Sequence, residues 1–122
     1  MRDIADTNSN PLLTKSFNFA VHIIRICKEL QSNNNYLLAN QLLRCGTSIG
    51  ANIREAQASE SRADFIHKIK IAAKEIEETE YWLLLLKESN IYIVEPSIFD
   101  SLLEVKKIVI KSIVTAKTNS RH

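Results

Sequence analysis

The sequence predicts an all-α protein, an up-down-up-down antiparallel four-helix bundle whose outer helices are written for self-association. Two glycines and two prolines in 122 residues are too few for the turns of a β architecture. Apolar residues recur at steps of three and four in four separate stretches, which is the helical period. The first and last of these stretches carry more apolar surface than one side of a lone bundle covers, and exposed patches of that kind mark interfaces.

Residues 1–9 are polar and aperiodic and read as a flexible N-terminal tail ahead of a bundle domain over residues 10–117. Asn10-Pro11 offers a cap followed by proline at the first helical position. Leu13, Phe17, Ala20, Ile24 and Cys27 then make one helix face. Phe19, Ile23, Ile26 and Leu30 add a second strip beside it, so burial on a broad front is expected. The run from Ser32 to Asn35 ends this helix, because short polar side chains compete with helical backbone bonding.

A second helix is expected from about Tyr36 to Ser59, with Leu38, Leu42, Cys45, Ile49, Ile53 and Ala56 as its stripe. Ser61, with Asp64 three residues on, reads as the cap of a third helix. Phe65, Ile69, Ala72, Ile76, Thr79, Leu83 and Leu86 continue that helix through three heptads, the strongest periodicity in the chain. Glu95-Pro96 opens a fourth, with Ile98, Leu102, Val105 and Val109 inward and Phe99, Leu103, Ile110, Ile113 and Val114 on its other faces. Residues 118–122 read as a flexible C-terminal tail.

Sixteen basic and fourteen acidic residues give a net charge of +2, too balanced to be a nucleic-acid signature in itself. Cys27 and Cys45 fall within apolar helical patterns, and no secretory leader is evident. They read as reduced core thiols of a cytoplasmic protein, an interhelical disulfide being the minor alternative. The longest apolar run, Leu83 to Leu86, is far short of a membrane span, so no membrane partner is expected.

The second helix is the unusual one. Gly46 and Gly50 lie four apart on one side, and each costs about 1 kcal/mol relative to alanine in a helix interior. Close approach of another helix or a bulky side chain explains that cost, with Tyr81 and Trp82 as candidates; a break in the helix is the other reading. Gln41, Arg44, Ser48, Asn52, Glu55 and Ser59 form a polar strip beside the core stripe. It is either a solvated face or an interfacial network fixing register, with Glu75 of the third helix placed to meet Arg44.

At these residues the chain resembles a known family, the small four-helix bundle proteins encoded within intervening sequences of 23S ribosomal RNA genes. The stretch from Gln41 to Ala56 is similar to that family's central pattern of Gln, Arg, small residues, Ser-Ile, Asn-Ile and Glu. Ser61, Asp64, Phe65, Glu75 and Trp82-Leu83-Leu84 match the segments that follow, and the resemblance covers about residues 12 to 116. Ala56 departs from it, standing where many members have glycine. The resemblance implies a protomer that assembles into an oligomeric ring, a homopentamer. Through a related accessory variability protein of diversity-generating retroelements, it also implies binding to RNA or to an RNA-handling protein such as a reverse transcriptase.

No reaction is specified by the residues. A di-metal carboxylate bundle needs two Glu-x-x-His motifs, and Asp64 with His67 is a single acid-x-x-His pair. His22 stands alone on the first helix. Glu75, Glu77, Glu78 and Glu80 read as a solvated acidic face, Lys74 being spaced to pair with Glu78. There is no nucleophile elbow, phosphate loop or dinucleotide fingerprint, so neither cofactor nor small-molecule substrate is expected. Near the end, Lys106, Lys107, Lys111, Lys117 and Arg121 offer a modest basic run for phosphates, without interleaved aromatics for base stacking. The expectation is a non-enzymatic oligomeric adaptor or scaffold, and the alternative is a carboxylate-metal bundle for oxidoreduction or metal storage.

Overall fold

The computed structural model describes residues 10–119. The expected tail at 1–9 lies outside them, as does most of the expected tail at 118–122. Four helices fill the described chain: α1 (Pro11–Ser32), α2 (Tyr36–Ala56), α3 (Arg62–Ser89) and α4 (Pro96–Asn119). Thr118 and Asn119 still belong to α4, where the Thr118 hydroxyl donates to the Val114 carbonyl at 2.9 Å.

The helix starts follow from local chemistry. Asn10 Oδ1 accepts from the Leu13 amide at 3.3 Å, with Pro11 just inside, where its missing N–H costs nothing. Ser61 Oγ accepts from the Asp64 amide at 3.0 Å, and such a cap contributes about 1 kcal/mol. The exits are polar. Asn34 and Asn90 adopt φ values of 65° and 60°, left-handed positions that asparagine tolerates better than most residues. α2 ends at Ala56, three residues before the expected limit, and the chain turns through Gln57 and Ala58.

The helices pack in cyclic order, α1 on α2, α2 on α3, α3 on α4 and α4 on α1, with no close backbone approach across either diagonal. Side-chain pairs show that each neighbour runs antiparallel. Gly46 lies beside Ile23 and Gly50 beside Ser16, while Arg44 meets Glu78 and Glu55 meets Lys68. Lys106 meets Glu77, and Lys15 meets Glu104. Both ends of the described chain therefore lie at one pole with the α2–α3 turn. The α1–α2 and α3–α4 connections lie at the other, carrying the highly exposed Leu37 and Ile93.

One apolar core runs the length of the bundle. The α4 stripe of Ile98, Leu102, Val105 and Val109 is buried, as is the α3 stripe from Ile69 to Leu86. α1 corrects the sequence reading. Its buried face is Leu12, Ser16, Phe19, Ile23, Ile26, Cys27 and Leu30, whereas Phe17 and Ile24 are exposed. The strip read as secondary is the core, because its branched side chains meet the glycine notch of α2. Two hydroxyls enter this core without penalty, since Ser16 Oγ donates to the Leu12 carbonyl and Thr79 Oγ1 to the Glu75 carbonyl, both at 2.7 Å.

Candidate functional site

α2 is continuous through both glycines. A Cβ on Gly46 would stand 2.8 Å from Ile23 Cγ2 and 3.0 Å from Cγ1, while one on Gly50 would stand 3.5 Å from Ser16. The close approach is therefore to α1. Trp82 and Tyr81, the expected partners, are elsewhere: Trp82 is half-buried along the α2–α3 groove and donates from Nε1 to Glu78 Oε2 at 3.2 Å. Tyr81 is exposed and edge-on to the Trp82 ring.

The polar strip of α2 lines that same groove. Arg44 reaches across to Glu78 through Nη2, and its Nη1 stands 3.5 Å from Glu75 Oε2. Glu75 Oε2 is buried without a hydrogen bond, so Arg44 is its countercharge rather than a full donor. Ser48 Oγ donates to the Arg44 carbonyl at 2.7 Å and Asn52 Nδ2 to the Ser48 carbonyl at 2.9 Å, bonds that stay within α2. Glu55 pairs with Lys68 at 3.6 Å, and Gln41 is exposed. Arg44, Glu75, Glu78 and Trp82 thus form one interhelical cluster, Glu55 makes a separate ion pair to α3, and Ser48 and Asn52 bond only within α2. Glu78, which helical spacing offered to Lys74, bonds Arg44 instead because α2 presents the guanidinium directly opposite.

The basic residues of α4 do not form a single patch. Lys106 turns toward α3 and pairs with Glu77 at 2.8 Å, a bond that raises its pKa. Lys107 and Lys111 are exposed and make no ion pair among the described residues. Lys111 lines a cleft of about 600 Å³, together with Arg62, Phe65 and Thr115 at the pole where α3 begins. Lys117 is exposed, and Arg121 lies outside the described residues.

Reactive groups are few. Cys27 and Cys45 are both free and buried. Burial, and then the neighbouring Cys45, push the Cys27 thiol up to about 11, and burial raises Cys45 as well. Thiols so protonated are poor nucleophiles. Among the described residues, no group of three or more His, Cys, Asp or Glu side chains could hold a metal ion. Asp64 and His67 are both exposed, on the first turns of α3. Tyr92 donates its hydroxyl to Glu29, and burial and that bond push it up to about 12. No helix among the described residues is long and apolar enough to cross a membrane.

Large apolar side chains are exposed on every helix, among them Leu37 of α2 and Tyr81, Leu84 and Leu85 of α3. Phe17 and Ile24 of α1 are 39% and 50% exposed, and Leu103, Ile110 and Val114 of α4 are 48%, 49% and 58% exposed. Phe17 borders a groove toward α2 lined by Leu13, Ala20, Thr47 and Ala51, and Ile110 borders one toward α3 with Ala73 and Ile76. Sequence reading anticipated the surplus on α1 and α4. It missed the Arg44–Glu78–Trp82 link, although the four-residue step from Glu78 to Trp82 was the available signal.

Comparison with known proteins fits this architecture. The family model described as 23S rRNA-intervening sequence protein matches residues 9–114. A crystal structure of a Bacteroides thetaiotaomicron protein, described as of unknown function and from the S23 ribosomal protein family, is 46% identical. The match covers 84% of this chain and 97% of that one, with a TM-score of 0.81. No curated protein matches the chain.

Proposed function

We propose, from the premise that this chain belongs to the 23S rRNA-intervening sequence protein family, that it is a non-catalytic building block. Copies associate into a closed ring, a pentamer by the family resemblance, and that ring serves as a cytoplasmic scaffold for RNA. The observation carrying this reading is the surplus of exposed apolar side chains on α1 and α4, too extensive for a surface that stays in water. The absence of a ligand cluster among the described residues and the burial of both free thiols favour assembly over chemistry.

The RNA part is supported by Lys107 and Lys111, cations without carboxylate partners among the described residues, and by Arg25, exposed on the adjacent α1. Repetition around a ring multiplies a modest charge into a field that attracts phosphates. Light scattering across a concentration series tests assembly: several subunits per particle are expected, and a single subunit at high concentration overturns the reading. Gel-shift titration with structured RNA at low and moderate salt tests the cargo. Lys107→Glu with Lys111→Glu is expected to weaken binding at least tenfold, and Lys106→Glu far less. Absence of binding at both salts removes RNA and leaves a protein scaffold.

A further inference from the structure

The helices do not finish level at the pole that holds both ends of the described chain. Lys15 of α1 pairs with Glu104 of α4. Four residues back from Lys15 stands Pro11, where α1 begins, and four residues on from Glu104 stands Ile108. α4 continues to Asn119, about eleven residues or roughly 16 Å further, with no α1 beside it. A full turn of slack in that ion pair still leaves about two turns of α4 uncovered. The cleft of about 600 Å³ lies on this step: among the described residues its walls come from α4, the first turns of α3 and the turn before them. Phe65 and Ile108 give it a half-buried apolar floor. Arg62 on the α3 wall and Lys111 on the α4 wall make no ion pair among the described residues.

The chain itself supplies a segment of matching chemistry. Asn10 stands at the edge of the cleft, donating from Nδ2 to Gln57 Oε1 at 3.2 Å, two residues before Ser59 of the cleft wall. Its φ of −138° and ψ of 89° are not helical, and Pro11 disfavours helix at the residue before it, so α1 does not continue backward through Asn10. Residues 1–9 can span up to about 30 Å, ample for a cleft along roughly 16 Å of α4. They carry Asp3 and Asp6, with Ile4 between and Arg2 alongside, against two cations, an apolar floor and Glu60 in the cleft. In an extended segment residues three apart point to opposite sides, as the cations on opposing walls require. The residues after Asn119 bring Arg121, which those cations repel. We infer that residues 1–9 dock in this cleft of their own chain, Asp3 and Asp6 pairing with Arg62 and Lys111 and Ile4 covering Phe65 and Ile108. The segment takes the place beside α4 that α1 leaves open, and it withholds Lys111 from other anions.

Hydrogen exchange of the full chain tests the docking. Amides of residues 1–9 are expected to exchange at least tenfold more slowly than in a synthetic peptide of the same sequence. Arg62→Glu with Lys111→Glu, both at exposed positions, should restore the peptide's rate while helical circular dichroism stays unchanged. Exchange at the peptide's rate in the wild type, or protection that survives the charge reversal, overturns the inference. Oxidation of Ile4→Cys combined with Ser112→Cys identifies the acceptor. A faster-migrating single chain is expected on a denaturing gel, and covalently joined chains put the segment on a neighbour and overturn it. The shielding of Lys111 has its own readout. Asp3→Asn with Asp6→Asn should tighten binding of inorganic polyphosphate at least threefold, and by much less in a Lys111→Gln background. An equal gain in both backgrounds reduces the effect to net charge and overturns the shielding. None of these outcomes bears on assembly, which light scattering reads separately.

Discussion

Adding one methyl group at Gly46 and one at Gly50 should have opposite effects, and the contrast isolates packing from helix propensity. Gly→Ala in a helix interior gains about 1 kcal/mol at either position. At Gly50 the new Cβ meets Ser16 at 3.5 Å, an ordinary contact, so most of that gain should survive. At Gly46 it stands 2.8 Å from Cγ2, 3.0 Å from Cγ1 and 3.3 Å from Cβ of Ile23. Those atoms are the branched root of a fully buried side chain, which cannot swing aside as a flexible tip would. Relief requires α1 and α2 to move apart, and overpacking of this kind costs about 1–3 kcal/mol. The propensity gain cancels between the two variants, so Gly46→Ala is expected to be less stable than Gly50→Ala by about 1–3 kcal/mol. Urea denaturation followed at 222 nm, at one fixed protein concentration, reads the difference. With Ile23→Ala in the background, the added methyl at Gly46 should become stabilising, a coupling that a double-mutant cycle measures. If Gly46→Ala matches or exceeds Gly50→Ala in stability, the notch between α1 and α2 does not govern their approach.

Other consequences are equally direct. The Cys27 thiol, raised to about 11, contributes stability that is fully present below its unfolded pKa near 9 and lost as pH rises toward 11. The loss amounts to about 3 kcal/mol for two pH units; urea midpoints should fall between pH 9 and 10.5, and Cys27→Ala should flatten that fall. At pH 8 neither thiol should react with a disulfide reagent until denaturant is added, when two per chain should titrate. Arg44→Ala should destabilise by about 1–3 kcal/mol by leaving buried Glu75 Oε2 without its countercharge. Lys68→Ala, which breaks a more exposed pair, should cost about 0.5 kcal/mol or less by the same urea assay. Ser61→Ala should cost about 1 kcal/mol and lower the thermal midpoint by about 4 °C or more.

The signals readable in the sequence were those whose physics is local. Asn10-Pro11 and the Ser61–Asp64 pair mark helix starts because a cap satisfies amides within three residues of itself. The α3 and α4 stripes could be read because each helix offered one continuous buried face. α1 offered two strips of equal period, and which one is buried is decided by its neighbour: Gly46 admits Ile23, and Gly50 admits Ser16. A polar Ser16 in the core masked that choice, since only its bond to the Leu12 carbonyl makes it acceptable there. The partner of the glycines was misassigned to Trp82 for a related reason, because sequence shows a vacancy without showing which helix fills it. Arg44 reads from the sequence as a strip residue facing Glu75, whereas its bond to Glu78 depends on the register of α2 against α3.

An even number of alternating helices gives the molecule a handle and a working end. Asn10 and Asn119 emerge at one pole beside Ser61, while Leu37, at 83% exposure, and Ile93, at 90%, mark the other. A fluorophore, tag or surface tether attached near either residue leaves from the same side. Every anchored molecule then presents its greasy tip outward in one orientation, so a chip coated through one attachment point displays the same surface as a chip coated through the other.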